Sequence, residues 1–376
     1  MRILTAGESH GAGEIVIIEG FPQGVPVTAE EVNAELKRRM SGFGRGTRMK
    51  IEHDRVEFLA GLRNLVSLGS PLAMWVKNRD QKIFPQKKDA LPALTVPRPA
   101  HADLPGALKY GHTDVRNILE RASARETVAR VCAGSVCKQF LRRLKIVIAS
   151  HTVRVGSVAA EKKPRSAEDI RFRTKRSSLN CIDAAAEKKM REEISAAERA
   201  RDSLGGISEI WAEGLVPGLG SVMHYDRRLD SRIAHHLMSI PAVKGVEFGL
   251  GFEYASCRGS ESHDPIQYRK SKGFRRTKNS SGGIDGGMST GEPVVVRIAM
   301  KPIATVRKPL PSADLKSKKK KDAIVERSDT CAILACGVIA ESMLAIALTE
   351  TVLEQFGDVS VEEIRQRYQR YRRRVK

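Results

Sequence analysis

The sequence predicts an α+β fold arranged as one interlaced domain over residues 1–376, on three observations. Stretches that alternate apolar and polar residues occur alongside stretches with apolar residues at helical spacing. No Gly/Ser-rich linker divides the chain. Clusters rich in glycine, arginine and histidine fall in both halves, so whatever they build draws on the whole length.

The elements follow in chain order. Thr28 can cap a helix over 28–40, where Val32, Leu36 and Met40 share a face. Residues 41–49 are too rich in glycine and arginine for a stable helix. From 50 to 61, Ile51, His53, Val56 and Phe58 alternate as in a strand. A proline-bearing loop spans 83–105, and a helical pattern resumes at 113–119. Ser123-Ala124-Arg125-Glu126 reads as a capping box opening a helix with Val128, Val131, Cys132 and Ser135 on one face. Arg125 then sits in the first turn against the helix dipole, a conflict that a docked anion would relieve; a side chain pointing to solvent is the plainer alternative. Residues 187–201 form an exposed helix of mixed charge. Strands follow at 207–211, 243–252 and 293–300, with a helix at 230–238. The basic stretch 258–283 reads as a loop or lid. Ser328 or Asp329 caps a long apolar helix through Val352, and the basic tail, about 366–376, is expected to fray.

A chain of 376 residues, 41% apolar, can bury a large core. Lys plus Arg outnumber Asp plus Glu by 65 to 44, a formal charge of +21 that calls for an anionic partner. Six cysteines show neither zinc-ligand spacing nor the density of a disulfide scaffold, so they are read as reduced, mostly buried thiols, with no metal. The first residues reach Glu8 before a signal region forms, and the apolar run 331–340 is too short to span a membrane. A soluble cytoplasmic protein is expected.

The chemistry-bearing clusters are Gly7-Glu8-Ser9-His10-Gly11, Arg45-Gly46-Thr47-Arg48, Arg98-Pro99-Ala100-His101-Ala102-Asp103 and Gly282-Gly283-Ile284-Asp285-Gly286-Gly287. Glycine lets backbone approach a ligand, while arginine and histidine donate to anionic oxygens, so these clusters suggest one polyanion site assembled from distant segments. The glycine cluster lacks the strand-then-helix setting of a dinucleotide fingerprint, and the chain has no P-loop.

Along nearly its whole length the chain resembles the chorismate synthase family. The matching stretches are GESHGAGE, RRMSGFGRGTRMKIEHDRVEFLAG, RPAHADLPGALKYGHTDVRNILERASARETVARV, RLDSRIAHHLMSIPAVKGVEFGLGF, NSSGGIDGGMSTGEP, KPIAT and RSD. The resemblance implies a β-α-α-β sandwich of mostly antiparallel sheets enclosing helices, and a homotetramer built as a dimer of dimers. It implies anti-1,4-elimination of phosphate and a ring hydrogen from 5-enolpyruvylshikimate 3-phosphate, with reduced FMN that is not consumed and NADPH as a reductant. The two ligands together bring roughly five or more negative charges, which explains the arginines. By resemblance Arg39, Arg45, Arg48, Arg98 and Arg125 hold substrate, with Arg39 and Arg45 also facing NADPH. His101 acts as general acid toward the leaving phosphate, His10 protonates or stabilises the anionic reduced flavin, and Asp329 handles the flavin N5 proton. The flavin is expected against Arg121, Ala122, Ser123, Pro241, Ala242, Gly286, Lys301, Pro302, Ile303, Ala304, Thr305 and Arg327.

Asp329 has a structural alternative as a helix cap, and His112 one as the end of a turn. The other histidines, His53, His151, His224, His235, His236 and His263, are read as structural. Two departures stand out: Ala100 where the family usually has glycine, and Ile333-Leu334 in place of Val-Pro. The rival readings are a basic RNA-binding protein, which 5% aromatic content and the lack of a stacking motif disfavour, and a flavin oxidoreductase, which would consume NADPH in step with product.

Overall fold

The computed structural model describes residues 1–46, 51–83, 91–270, 273–325 and 328–375. A four-stranded sheet runs in the order Arg2–Gly7, Gly13–Glu19, Leu72–Lys77, Val56–Ala60. A five-stranded sheet runs Val243–Phe248, Val294–Met300, Gly206–Glu213, Val147–Val155, Val158–Ala159. Every described pairing in both is antiparallel.

Two helices lie between the sheets. Thr127–Arg143 packs on the first sheet and Ile333–Phe356 on the second, and they pack on each other, giving the β-α-α-β layering. They approach tightly at Gly134, where an added Cβ would stand 2.2 Å from the Ser342 Cβ, so no larger residue fits without parting the layers. Ala29–Met40 and Leu229–Met238 flank this pair. The helix Ile333–Phe356 is long and apolar enough by composition to cross a membrane, but 94% of its most apolar window is buried between the layers. It is much longer than the apolar run that signals it.

Thr28 caps its helix as expected, accepting from the Glu31 N–H. Elsewhere tertiary contacts overrule local pattern. The strand expected from residue 50 begins only at Val56; Ile51 is exposed, whereas Glu52 and Asp54 are buried because they meet an arginine. A helix Asp103–Tyr110 starts inside the expected 83–105 loop. Ser123 accepts from Arg125 N, but Glu126 turns to Arg130 rather than closing the capping box. Ala184–Arg199 is amphipathic, burying Ala186, Met190 and Ile194. The expected 258–283 loop contains the hairpin Ile266–Arg269/Gly273–Arg276. The basic tail is helical over Val361–Arg374, anchored by buried Ile364 and Tyr368.

Candidate active site

The first two strands meet at the pair Gly7 and Glu14, and the loop between them carries His10. That loop is pinned from the helix Arg116–Ala122. The Ser9 N–H donates to the Glu120 carbonyl (3.0 Å), the His10 N–H to Glu120 Oε2 (2.9 Å), and His10 Nδ1 lies 3.0 Å from both Glu120 carboxylate oxygens. His10 Nε2 faces Asp80 at 3.8 Å. Asn78 donates to the carbonyls of Glu8 and Gly11 and accepts from Arg125 Nε (2.8 Å), tying the loop to the arginines.

Arg125 is buried at the start of the helix Thr127–Arg143. The anion expected there is internal: Asp54 Oδ1 lies 2.6 Å from Arg125 Nη1, and Glu52 Oε2 lies 3.7 Å from Nη2. Arg39, equally buried, donates to the Thr127 hydroxyl and the Ala124 carbonyl and faces Asp54 at 3.7 Å. Burial pushes the Arg39 guanidinium down to about 10; Asp54 opposes this, and the charges of Arg125 and Arg45 reinforce it. Arg39 Nη1, Arg125 Nη2 and Asp54 Oδ2 are buried without a hydrogen-bond partner among the described residues. This is a cluster whose donors are incompletely used.

Asp329 is held by Arg45 Nη1 (3.0 Å) and by the Gly46 N–H (2.6 Å). It is not the helix cap: Ile333–Phe356 begins after Ala332, and neither Ser328 nor Asp329 caps it. Ser328 donates instead to the Thr305 carbonyl (2.6 Å), and the Thr305 hydroxyl meets Arg98 Nη1 (3.2 Å). Asp103 then gathers Arg98 Nε (2.8 Å) and His101 Nδ1 (2.5 Å). Burial raises the Asp103 carboxyl, but hydrogen bonds from His101 and Arg98 outweigh it and hold the group well below the usual carboxylate range. Its bond to Nδ1 fixes the ring and leaves Nε2 as the exchangeable nitrogen. Ala100, beside this histidine, has φ 60°, the left-handed conformation that the glycine usual at this place adopts without cost.

His10, Arg39, Arg45, Arg125 and Asp329 are therefore linked by contacts or by each other's fields, and Arg98 and His101 join them through Thr305 and Ser328. Arg48 and Arg327 lie outside the described residues.

Of the segments expected against a flavin, Arg121 reaches Thr5 O and Oγ1 at the mouth of the His10 hairpin, followed directly by Ala122 and Ser123. The Ala242 carbonyl, next to Pro241, accepts from the Lys301 N–H (2.9 Å), and Lys301 Nζ donates to the Ala100 carbonyl. The following residues Pro302, Ile303 and Ala304 lead to Thr305. Gly286 is apart. Its hairpin is held at the start of the helix Leu229–Met238, while Ala242 follows the other end, about 15 Å away at 1.5 Å per residue. Three cavities, of about 590, 730 and 660 Å³, are lined by other residues and lie off this network. His112 is half-buried near Asn117 and Tyr110 and joins none of it.

Sequence reasoning missed the carboxylates: Glu120, Asp80, Asp54, Glu52 and Asp103, together with Asn78. Glu52, Asp54, Asp103 and Glu120 lay inside recognised stretches, where the basic and histidine residues drew the reading instead; only Asn78 and Asp80 fall outside them and carried no local signal.

A family model described as chorismate synthase matches residues 1–353. A chorismate synthase of Desulforudis audaxviator is 50% identical, covering 100% of this chain and 98% of that protein. One from Geobacillus sp. (strain WCH70) is 48% identical, covering 99% of each. A crystal structure of chorismate synthase, 38% identical, superposes with a TM-score of 0.82 over 100% of this chain and 98% of the other. The chain belongs to the chorismate synthase family, lyases of the shikimate pathway that lead to the aromatic amino acids.

Proposed function

We propose that this site performs the anti-1,4-elimination of the 3-phosphate and a C6 hydrogen from 5-enolpyruvylshikimate 3-phosphate, with reduced FMN bound beside the substrate. The observation that carries the reading is the buried Arg39–Asp54–Arg125 cluster, in which one guanidinium nitrogen of each arginine, Arg39 Nη1 and Arg125 Nη2, has no hydrogen-bond partner among the described residues and meets its nearest carboxylate only at 3.7 Å, with His10 and Asp329 tied to the cluster. A phosphate and two carboxylates offer the acceptors such donors need.

The residues present suit FMN. Lys301 is held below the usual lysine range by burial and by neighbouring Lys244, and a phosphate would relieve both. Arg121, Ala122, Ser123, Pro241, Ala242 and residues 302–305 would line the same place, and Gly286 would need to reach it from another direction. Bound there, reduced FMN would supply electron density to the substrate without being consumed. Arg39, Arg45, Arg98 and Arg125 orient the substrate anions. His101, its ring set by Asp103, passes a proton from Nε2 to the departing phosphate. His10, braced by Glu120, stabilises negative charge near its Nε2. The Asp329 carboxylate takes up the proton released in the reaction. Arg39 and Arg45 would face NADPH, which would supply the reducing equivalents for the flavin.

The assembly is a homotetramer in the cytoplasm. Leu4, Ile15 and Ile17 leave an apolar outer face on the first sheet that a second copy would cover.

The test is an anaerobic assay with photoreduced FMN, following chorismate and phosphate together. Equal amounts of both, with the reduced flavin retained, are expected; oxidation of flavin or NADPH in step with product would overturn the lyase reading in favour of an oxidoreductase.

A further inference from the structure

Glu14 closes the hairpin that carries His10 and has no part in the chemistry above. It is only 1% exposed, on the inner face of its strand, and neither carboxylate oxygen has a hydrogen-bond partner among the described residues. Its Oε2 fills the space above Gly7, 2.5 Å from where a Cβ would stand, so any larger residue at position 7 would displace it. The charged groups that face it are Arg121 from the helix Arg116–Ala122, at 4.0 Å, Arg125 and Glu126 from the turn before the next helix, and Glu8 from its own loop. Its neighbours across the two strands are Gly7 and Val76.

We propose that Glu14 is a positioning residue that holds Arg121 at the mouth of the site while ionised, and takes up a proton when anionic FMN claims Arg121. The proposal rests on the flavin reading of Arg121 given above.

The physical argument is a competition for one guanidinium. Arg121 is 44% exposed and is held by Thr5 O and Oγ1, so its head can serve a ligand without leaving the strand. Burial pushes Glu14 up to about 7, against the attraction of Arg125 and Arg121. An anion that neutralises Arg121 removes part of that attraction, and the carboxylate, buried and without hydrogen bonds, then protonates. Ligand binding and proton uptake are thereby coupled, and each must respond to the other.

The test titrates FMN into the full-length protein with 5-enolpyruvylshikimate 3-phosphate present, from pH 6 to pH 8.5, in calorimetry buffers of different ionisation enthalpy. Wild type should take up roughly half a proton or more at pH 7.5 that Glu14→Gln does not. The ratio of wild-type to Glu14→Gln dissociation constants should climb from about 1 at pH 6 to about five- to tenfold at pH 8.5, because the amide imitates the protonated acid at every pH. Glu14→Met, also neutral and of similar length, should repeat both results. Equal proton uptake and a flat ratio in either folded variant would overturn the proposal. Arg121→Ala separates the two layers: weaker FMN binding supports the flavin reading, whereas unchanged binding sinks that reading whatever Glu14 does.

Discussion

Arg38 and Arg39 are consecutive residues on one helix, yet they enter two ionic networks of opposite character, the first half-buried at Arg38 and the second fully buried. Arg38 donates to Glu341 through both terminal nitrogens (2.9 and 2.7 Å) and to Glu35; Lys138 bridges the same two carboxylates at 2.6 and 2.7 Å, and the Ser150 hydroxyl adds 2.6 Å. Burial raises Glu341, but Arg38 and Lys138 outweigh it and hold the carboxyl well below its usual range. Arg39, turned about 100° around the helix, meets Asp54 only at 3.7 Å and keeps a buried nitrogen without a hydrogen bond among the described residues. A completed network fastens layers together. An incomplete one, beside two carboxylate-braced histidines, keeps donors that the proposed substrate's anions would satisfy.

If that contrast is right, damage to the two networks should separate stability from function. The largest effect is expected for Glu341→Ala, which strands Arg38 and Lys138. Chemical denaturation should show a loss of about 3–5 kcal/mol, with turnover per folded molecule little changed. A small stability loss with collapsed turnover would erase the distinction.

Next comes the pH dependence that Glu14 imposes. The folded form keeps its proton up to about 7, against an ordinary value of 4.5, so between those pH values the native state binds more protons than the unfolded chain. Stability must therefore fall as pH rises through that window, by up to about 3 kcal/mol from this group. Glu14→Gln should flatten the slope in denaturation measured at pH 5, 6, 7 and 8; an unaltered slope counts against a buried, titrating Glu14.

Asp329→Asn keeps an acceptor for the Gly46 N–H and removes the charge facing Arg45. Steady-state kinetics should show kcat lower by about 100-fold, within the range of proton-transfer groups, with stability shifted by less than about 1 kcal/mol. Normal turnover would reduce Asp329 to a brace for its loop. The smallest effect is expected at Ala100. Ala100→Gly relieves a left-handed alanine and should raise stability by about 0.5–1 kcal/mol after the entropy of glycine is subtracted. A destabilised variant would mean that the turn carries no strain.

What the sequence could announce was whatever depends on near neighbours. Thr28 before Val32 and Leu36 marked a helix start, and alternation marked the strand Gly206–Glu213. His10 and His101 stood out through the residues beside them. What it could not announce depended on partners far along the chain. Asp54 and Glu52 face inward because Arg125 is there, reversing the face that Ile51 and His53 suggested. Asp329 looks like a cap until Gly46 and Arg45, some 283 residues earlier, are folded against it. The tail reads as a basic run, and only buried Tyr368, whose hydroxyl accepts from Val216 N and donates to Gly214 O, reveals it as a docked helix.

The most direct test of the contrast is the stabilisation that 5-enolpyruvylshikimate 3-phosphate confers on unfolding, measured for wild type, Arg38→Gln and Arg39→Gln at one ligand concentration. Arg38→Gln should start less stable yet gain as much from the ligand as wild type does, whereas Arg39→Gln should start near wild type and gain little. An equal gain in both variants, or a loss of the gain in Arg38→Gln alone, would contradict the assignment of the Arg39 cluster as the anion site.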